Sequence, residues 1–184
     1  TISGNVGSYH HILSAHNLGR NFSMGAAIDG ASNFISRLDL FNNVIYNFST
    51  RANDGQVHKA NFVNNYFKKG AATLIDFMFS MDFENYGVGT LQAYCAGNIL
   101  QRADGTFTCD GTNNACGRRY TLTNGNPEPT WDVFPTSGPF FASYATIHSA
   151  KDAYKNVLSD VGVNMPVFDD HDQRMIKETL AGTY

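Results

Sequence analysis

The sequence predicts an all-β protein built as a parallel solenoid, and three observations carry that expectation. Two segments, RLDLFNNVIYNF at 37–48 and KANFVNNYFKKG at 59–70, each hold a short alternating strand, an Asn-Asn pair and an aromatic soon after it. The second Asn of each pair, Asn43 and Asn65, stand 22 residues apart, a spacing suited to one solenoid coil. Leu38, Leu40, Ala60, Phe62, Leu91 and Ala93 alternate with polar neighbours, as strands with one buried face do, and are assigned to the core.

Along the chain, SYHHILSAHN at 8–17 is an apolar strand followed by Asn, with His11 expected at the position that Asn43 holds one coil later. The 37–48 and 59–70 coils come next, and LQAYCAGNILQR at 91–102 is a weaker copy that puts Asn98 33 residues beyond Asn65, so its coil carries an insertion. Asn42, Asn43, Asn64, Asn65 and Asn98 are read as structural, because Asn tolerates left-handed backbone and stacked amides bond from coil to coil. Segment 103–145 is dense in Gly, Thr, Asn and Pro and is expected as one long loop. SAKDAYKNVLSD at 149–160 predicts a helix capped by Ser149, with Ala153, Tyr154, Val157 and Leu158 inward and Gly162 as its stop. A second helix is expected in 169–182, with Met175, Ile176 and Leu180 inward and acidic residues at the positive end of the helix dipole. Residues 1–102 thus form coils, and 103–184 form the loop and a capping tail of the same domain.

Composition bounds the partners. A chain of 184 residues, 42% hydrophobic and 13% aromatic, can bury one core. A formal charge of -3 with only 16% charged residues supplies no basic stripe for nucleic acid. No apolar run approaches the ~18 residues that a membrane span needs.

Cys109 and Cys116 bracket the polar DGTNNA, a spacing that favours a small loop disulfide over a zinc clip, which would need a second Cys/His pair nearby. Cys95 is then a buried free thiol. Asn21 and Asn47 head Asn-Phe-Ser sequons and are glycosylation candidates. Sequons and a disulfide together point to a secreted, extracellular glycoprotein.

No nucleophile elbow, HExxH helix, Walker loop or dinucleotide fingerprint is present. His10 and His11 are neighbours in a strand and face opposite sides. The DDHD run at 169–172 is read as helix N-terminal acidity rather than a metal site.

One segment carries a specific resemblance. YHHILSAHNLGRNFSMG is similar to the pectate lyase segment in which a strand ending in His-Asn leads into an arginine motif, Arg-x-Pro-x-x-Arg. FNNVIYNFSTRANDG and KANFVNNYFKKGAAT are similar to the coils that follow in that family, and IHSAKDAYKNVLSDVG with DDHDQRMIKETLAGT resembles its closing segment. The likeness covers 8–100 and 145–183 and implies a right-handed parallel β-helix, of which this chain is the C-terminal portion. Arg20 falls on the first arginine of the motif, whereas Phe22 stands at the proline, Ser23 at the middle position and Gly25 at the second arginine.

The activity so implied is β-elimination on pectate or a related polyuronate, with Arg20 as the catalytic residue that neutralises developing negative charge and takes the C5 proton. Arg51, and Lys68 with Lys69, are substrate-binding candidates for uronate carboxylates, and Tyr46 and Tyr66 either stack on sugars or pack inside. Calcium is the cofactor that the family implies, as a Lewis acid bridging carboxylates. Its ligands lie upstream of the arginine motif in that family, so no metal site is expected in this chain, and an N-terminal polypeptide of the same protein is the expected partner beside the acidic polysaccharide. Two other readings stand: a non-catalytic carbohydrate-binding or adhesive solenoid, and a glycoside hydrolase. The hydrolase would need paired carboxylates, for which Asp29, Asp39, Asp54, Asp76 and Asp82 are not placed by sequence.

Overall fold

The structure, a computed structural model, describes residues 1–84, 86–123 and 125–184. Among the described residues it is mostly β, with three largely parallel sheets and two short helices. The first sheet runs β1 (Val6–His10), β4 (Arg37–Phe41), β7 (Lys59–Val63) and β10 (Gln92–Ala96). The second holds β2 (Leu13–Ala15), β5 (Val44–Tyr46), β8 (Tyr66–Lys68) and β11 (Ile99–Gln101), with β12 (Phe107–Asp110) antiparallel at its edge. The third holds β3 (Ser23–Met24), β6 (Asn53–Gly55), β9 (Phe79–Phe83) and β13 (Arg118–Leu122). Each pass of the chain therefore lays one strand on each sheet.

The bend between first and second sheet shows why the Asn pairs recur. It consists of two residues: His11-Ile12, Asn42-Asn43, Asn64-Asn65 and Gly97-Asn98. The first of each two is left-handed, with φ of 54°, 52°, 51° and 66°, a region that Gly and Asn enter at least cost. The second supplies a buried amide ladder. Asn43 Nδ2 donates to Asn65 Oδ1 at 3.0 Å, and Asn65 Nδ2 donates to Asn98 Oδ1 at 3.0 Å. The same oxygens accept the backbone N–H groups of Asn43 and Asn65. His11 does not hold the ladder position expected of it: Ile12 does, and donates only its backbone N–H to Asn43 Oδ1 at 3.2 Å. The left-handed site ahead of the ladder takes His11 instead.

The assigned core residues Leu38, Leu40, Ala60, Phe62, Leu91 and Ala93 are all at most 2% exposed. Phe62 packs on Phe79 at 5.0 Å and on Phe67 at 6.0 Å between ring centroids, tying the three sheets together. Each such side chain contributes about 1.5–3 kcal/mol by leaving water.

Segment 103–145 is not the featureless loop expected. Its described residues include two short strands, β12, antiparallel to β11, and β13, which joins the third sheet beside β9. The Cys109–Cys116 disulfide expected from spacing closes the turn between them. Cys95 is free and buried, and burial pushes its thiol up to about 12.

Helix α1 (Ala150–Asp160) starts at Ser149, whose Oγ accepts from Asp152 N–H, and buries Ala150, Ala153, Val157 and Leu158. Ala150 and Val157 pack on Val44, Tyr66 and Ile99 of the second sheet. Helix α2 (Asp170–Ala181) starts at Asp169 and ends at Gly182, which is left-handed. Its expected inward residue Leu180 is 56% exposed, and Thr179 is buried in its place. Polar contacts turn the helix: His16 Nε2 lies 2.9 Å from Glu178 Oε2, and Lys68 Nζ reaches the carbonyls of Thr179 and Leu180. Among the described residues no helix is long and apolar enough to cross a membrane.

Candidate functional site

The third sheet positions the densest group of chemically capable side chains. Its strands pair Ser23 with Asp54, Asp54 with Ser80, and Ser80 with Arg119, while Asp82 pairs with Thr121. Strand residues alternate between faces, and Phe79 and Met81 point into the core without exposure. Ser80, Asp82 and their paired neighbours consequently share the outer face, where a cavity of about 240 Å³ is lined by Arg51, Asp54, Ser80, Asp82, Arg119 and Thr121.

The electrostatics of this cleft are set by one buried carboxylate. Asp54 is 4% exposed, and its Oδ2 accepts from Arg51 Nε, while Oδ1 has no hydrogen-bond partner among the described residues. Burial raises its pKa above the usual carboxylate value, Arg51 and the charge of Arg20 pull it down, and the charge of Asp82 pushes it up. Asp82 Oδ1 accepts from Ser80 Oγ at 2.9 Å and from Thr121 Oγ1 at 2.8 Å. The Arg119 guanidinium sits over the Phe77 ring, 3.6 Å from its centroid. Stacking of this kind fixes a guanidinium while leaving its edge free to bind.

Arg20 belongs to this neighbourhood. It is exposed, left-handed at φ 59°, and close enough for its charge to act on Asp54. Gly19 makes room for the approach, since a Cβ there would lie 2.8 Å from Arg51 Cβ. Two of the candidate cations, Arg20 and Arg51, are thus brought together.

Lys68 is not. It lies in β8 on the second sheet, under the tail, and its Nζ donates to Thr179 O at 2.7 Å and Leu180 O at 2.9 Å. A cation at the negative end of a helix satisfies carbonyls that the helix leaves open, so Lys68 is a helix anchor and not a groove residue. Lys69 pairs with Asp76 at 2.8 Å. Tyr46 is fully buried, its hydroxyl donating to Thr183 O, and Tyr66 packs on Tyr154 at 4.5 Å, so neither presents a face to a ligand.

Of the two sequon residues, Asn47 is 3% exposed, with Nδ2 against His16 Nδ1 and Oδ1 accepting from Ala72 N–H, which leaves no room for a glycan in this fold. Asn21 is half-buried, its Oδ1 accepting from Ser14 Oγ. The acidic run at 169–172 serves its helix, with Asp169 Oδ1 accepting from Asp172 N–H and Asp172 Oδ2 from Val163 N–H.

Calcium asks for about six to eight oxygen ligands, commonly from several carboxylates. The cleft does not fit it: one oxygen of Asp54 is held by Arg51 and one of Asp82 by two hydroxyls. Among the described residues no group of three His, Cys, Asp or Glu is placed to hold a metal ion.

In the sequence Arg20 and Arg51 stand out, whereas Asp54 and Asp82 are not placed and Ser80, Arg119 and Thr121 carry no motif. The usable signal was the alternation in RRYTL, which marks a strand inside the Gly-rich stretch. No protein-family model matches the chain, and no curated protein matches it.

Proposed function

We propose that the chain forms a right-handed parallel β-helix and acts as a secreted polysaccharide lyase on pectate or a related polyuronate, with the outer face of the third sheet as its cleft. The observation that carries this reading is that Arg51 and Arg119, distant in the chain, line one cleft on a strand face, with Gly19, the neighbour of Arg20, packed against Arg51. Guanidinium forks match carboxylates, and successive arginines suit a polymer that bears one carboxylate per sugar. In β-elimination the C5 proton leaves, a C4–C5 double bond forms and the C4–O bond breaks, the departing oxygen taking a proton from water to become the hydroxyl of the released sugar. Arg20 neutralises the enolate charge and, desolvated beneath bound substrate, takes the proton. Asp54 holds Arg51 in place, and Arg51 and Arg119 bind the flanking carboxylates. Calcium, implied by the resemblance, enters none of these steps.

A second reading, glycoside hydrolysis, is favoured by one observation: Asp54 and Asp82 share the outer face on adjacent strands. A strand spacing of about 4.8 Å and a two-residue offset of about 6.6 Å put their Cα atoms roughly 8 Å apart, with side chains on one face, a placement compatible with the carboxyl separation of an inverting pair.

Incubation with polygalacturonate, with calcium and with chelator, separates the readings. Ultraviolet absorbance from unsaturated products is the expected result, and it is lost in Arg20→Ala. New reducing ends without that absorbance identify a hydrolase. Binding without either product identifies a non-catalytic carbohydrate-binding solenoid.

A further inference from the structure

A second cavity, of about 460 Å³, opens beside the arginine cleft and shares Glu84 with it. Its chemistry differs. Aromatic rings form its walls: Trp131 lies 6.2 Å from Phe83, and Tyr86 meets Phe34 edge-on at 5.9 Å. The polar hydrogens of the large rings are already used by the protein, since Trp131 Nε1 donates to Leu91 O and the Tyr86 hydroxyl to Ala26 O. Glu84 and Glu128 add carboxylates to the lining, and Glu128 Oε2 accepts from the Tyr120 hydroxyl.

Gln56 is the decisive residue. It lines the cavity, is 2% exposed, and its Oε1 has no hydrogen-bond partner among the described residues. A buried amide oxygen without a donor is a standing cost to the fold, removed by a ligand that brings one. Aromatic walls with hydrogen-bond acceptors call for a ligand with an apolar face and several donors. The two glutamates repel an anion. Hydroxyl groups on a neutral sugar ring meet all three conditions, and a uronate does not.

We infer that this cavity is a subsite for an uncharged sugar residue, adjoining a cleft built for charged ones. The identification of the occupant as a sugar rests on the carbohydrate reading of the cleft, and it extends that reading to a polymer in which neutral residues accompany the uronates. A ring stacked against Trp131 donates a hydroxyl towards Gln56, and its neighbours run past Glu84 into the arginine cleft.

Trp131 is the protein's one tryptophan, so its fluorescence reports on this cavity alone. The intact protein is titrated with neutral tetrasaccharides of galactose, glucose or xylose and, separately, with tetragalacturonate. A saturable change in Trp131 emission with a neutral tetrasaccharide, and none with tetragalacturonate, is expected. Gln56→Leu weakens it about tenfold, as loss of one hydrogen bond to a buried group does. Because Gln56 is buried, Glu128→Lys on the exposed rim provides a second variant: it admits tetragalacturonate, while circular dichroism and the melting midpoint stay unchanged. Emission unmoved by every neutral sugar, or moved equally by tetragalacturonate in the native protein, overturns the assignment. The readout needs no turnover, so absent unsaturated products defeat the lyase reading without touching this one.

Discussion

Arg51 donates through Nε to Asp54 Oδ2, so a half-exposed guanidinium at the cleft is held by a buried carboxylate whose pKa burial raises. Arg51→Ala removes the largest influence that lowers that pKa, and Asp54 is pushed further up. The sign follows from linkage: a carboxyl with a raised folded pKa costs the fold stability as pH climbs above the unfolded value. The variant is expected to lose about 1–3 kcal/mol at neutral pH and less near pH 4. Thermal melts at the two pH values check this, and an equal loss at both is the contrary result.

Asn65 is the middle rung of the amide ladder and has no exposure. Its Nδ2 bonds Asn98 Oδ1 and Leu40 O, and its Oδ1 serves both Nδ2 and N–H of Asn43. Asn65→Ala strands these groups in the core and is expected to cost about 2–4 kcal/mol. Asn42→Gly keeps the left-handed bend and loses the side-chain bonds to Asn64 O and to the His148 backbone, all nearer the surface, so about 1–2 kcal/mol is expected. Urea unfolding of the two variants measures the difference, and similar midpoints would show that the bend geometry alone matters.

Lys68 carries the sharpest contrast between a binding and an anchoring role. With its Nζ on Thr179 O and Leu180 O, Lys68→Met is expected to loosen the last turn of α2 by about 1–2 kcal/mol. Proteolysis near the C-terminus should quicken, while KM for any acidic polysaccharide stays within about twofold. A rise in KM with an intact tail would return Lys68 to the groove.

These cases show which parts of the molecule were legible. The Asn pairs were, because each answers two local demands, a left-handed bend and a buried amide rung, that recur at coil spacing. The core alternation of Leu38, Leu40 and Phe62 was legible for the same reason: it is written within single strands. The cleft was not, because Asp54, Ser80 and Arg119 meet only through strand register, and that register is set by loops of unequal length. Lys68 misled because its neighbours in sequence are coil residues, whereas its partners, Thr179 and Leu180, lie on a helix more than a hundred residues away. His11 misled by one residue: the apolar strand before it is clear, but a single shift decides whether the side chain joins the ladder or the bend.

That shift has a consequence in acid. His11 Nδ1 lies 2.9 Å from His10 Nδ1, its ring meets His148 edge-on at 5.4 Å, and both His10 and His11 pack on Phe41. Burial, then the charges that His10 and His148 acquire, hold its pKa below the usual histidine value. A group with a depressed folded pKa binds its proton more readily in the unfolded chain, so its stabilising effect is complete above about pH 6.5 and drains away as pH falls. The neutral contact between the two Nδ1 atoms also needs one of them unprotonated. Melting midpoints should therefore fall between pH 8 and pH 5, and His10→Gln should flatten the slope by removing one charge and keeping a polar partner. His148→Gln should flatten it as well, while the backbone bond from His148 N–H to Asn42 Oδ1 at 2.7 Å keeps the tail docked. An unchanged slope in both variants would place the acid sensitivity elsewhere, with Asp54 excluded by sign because acid favours its folded, protonated form.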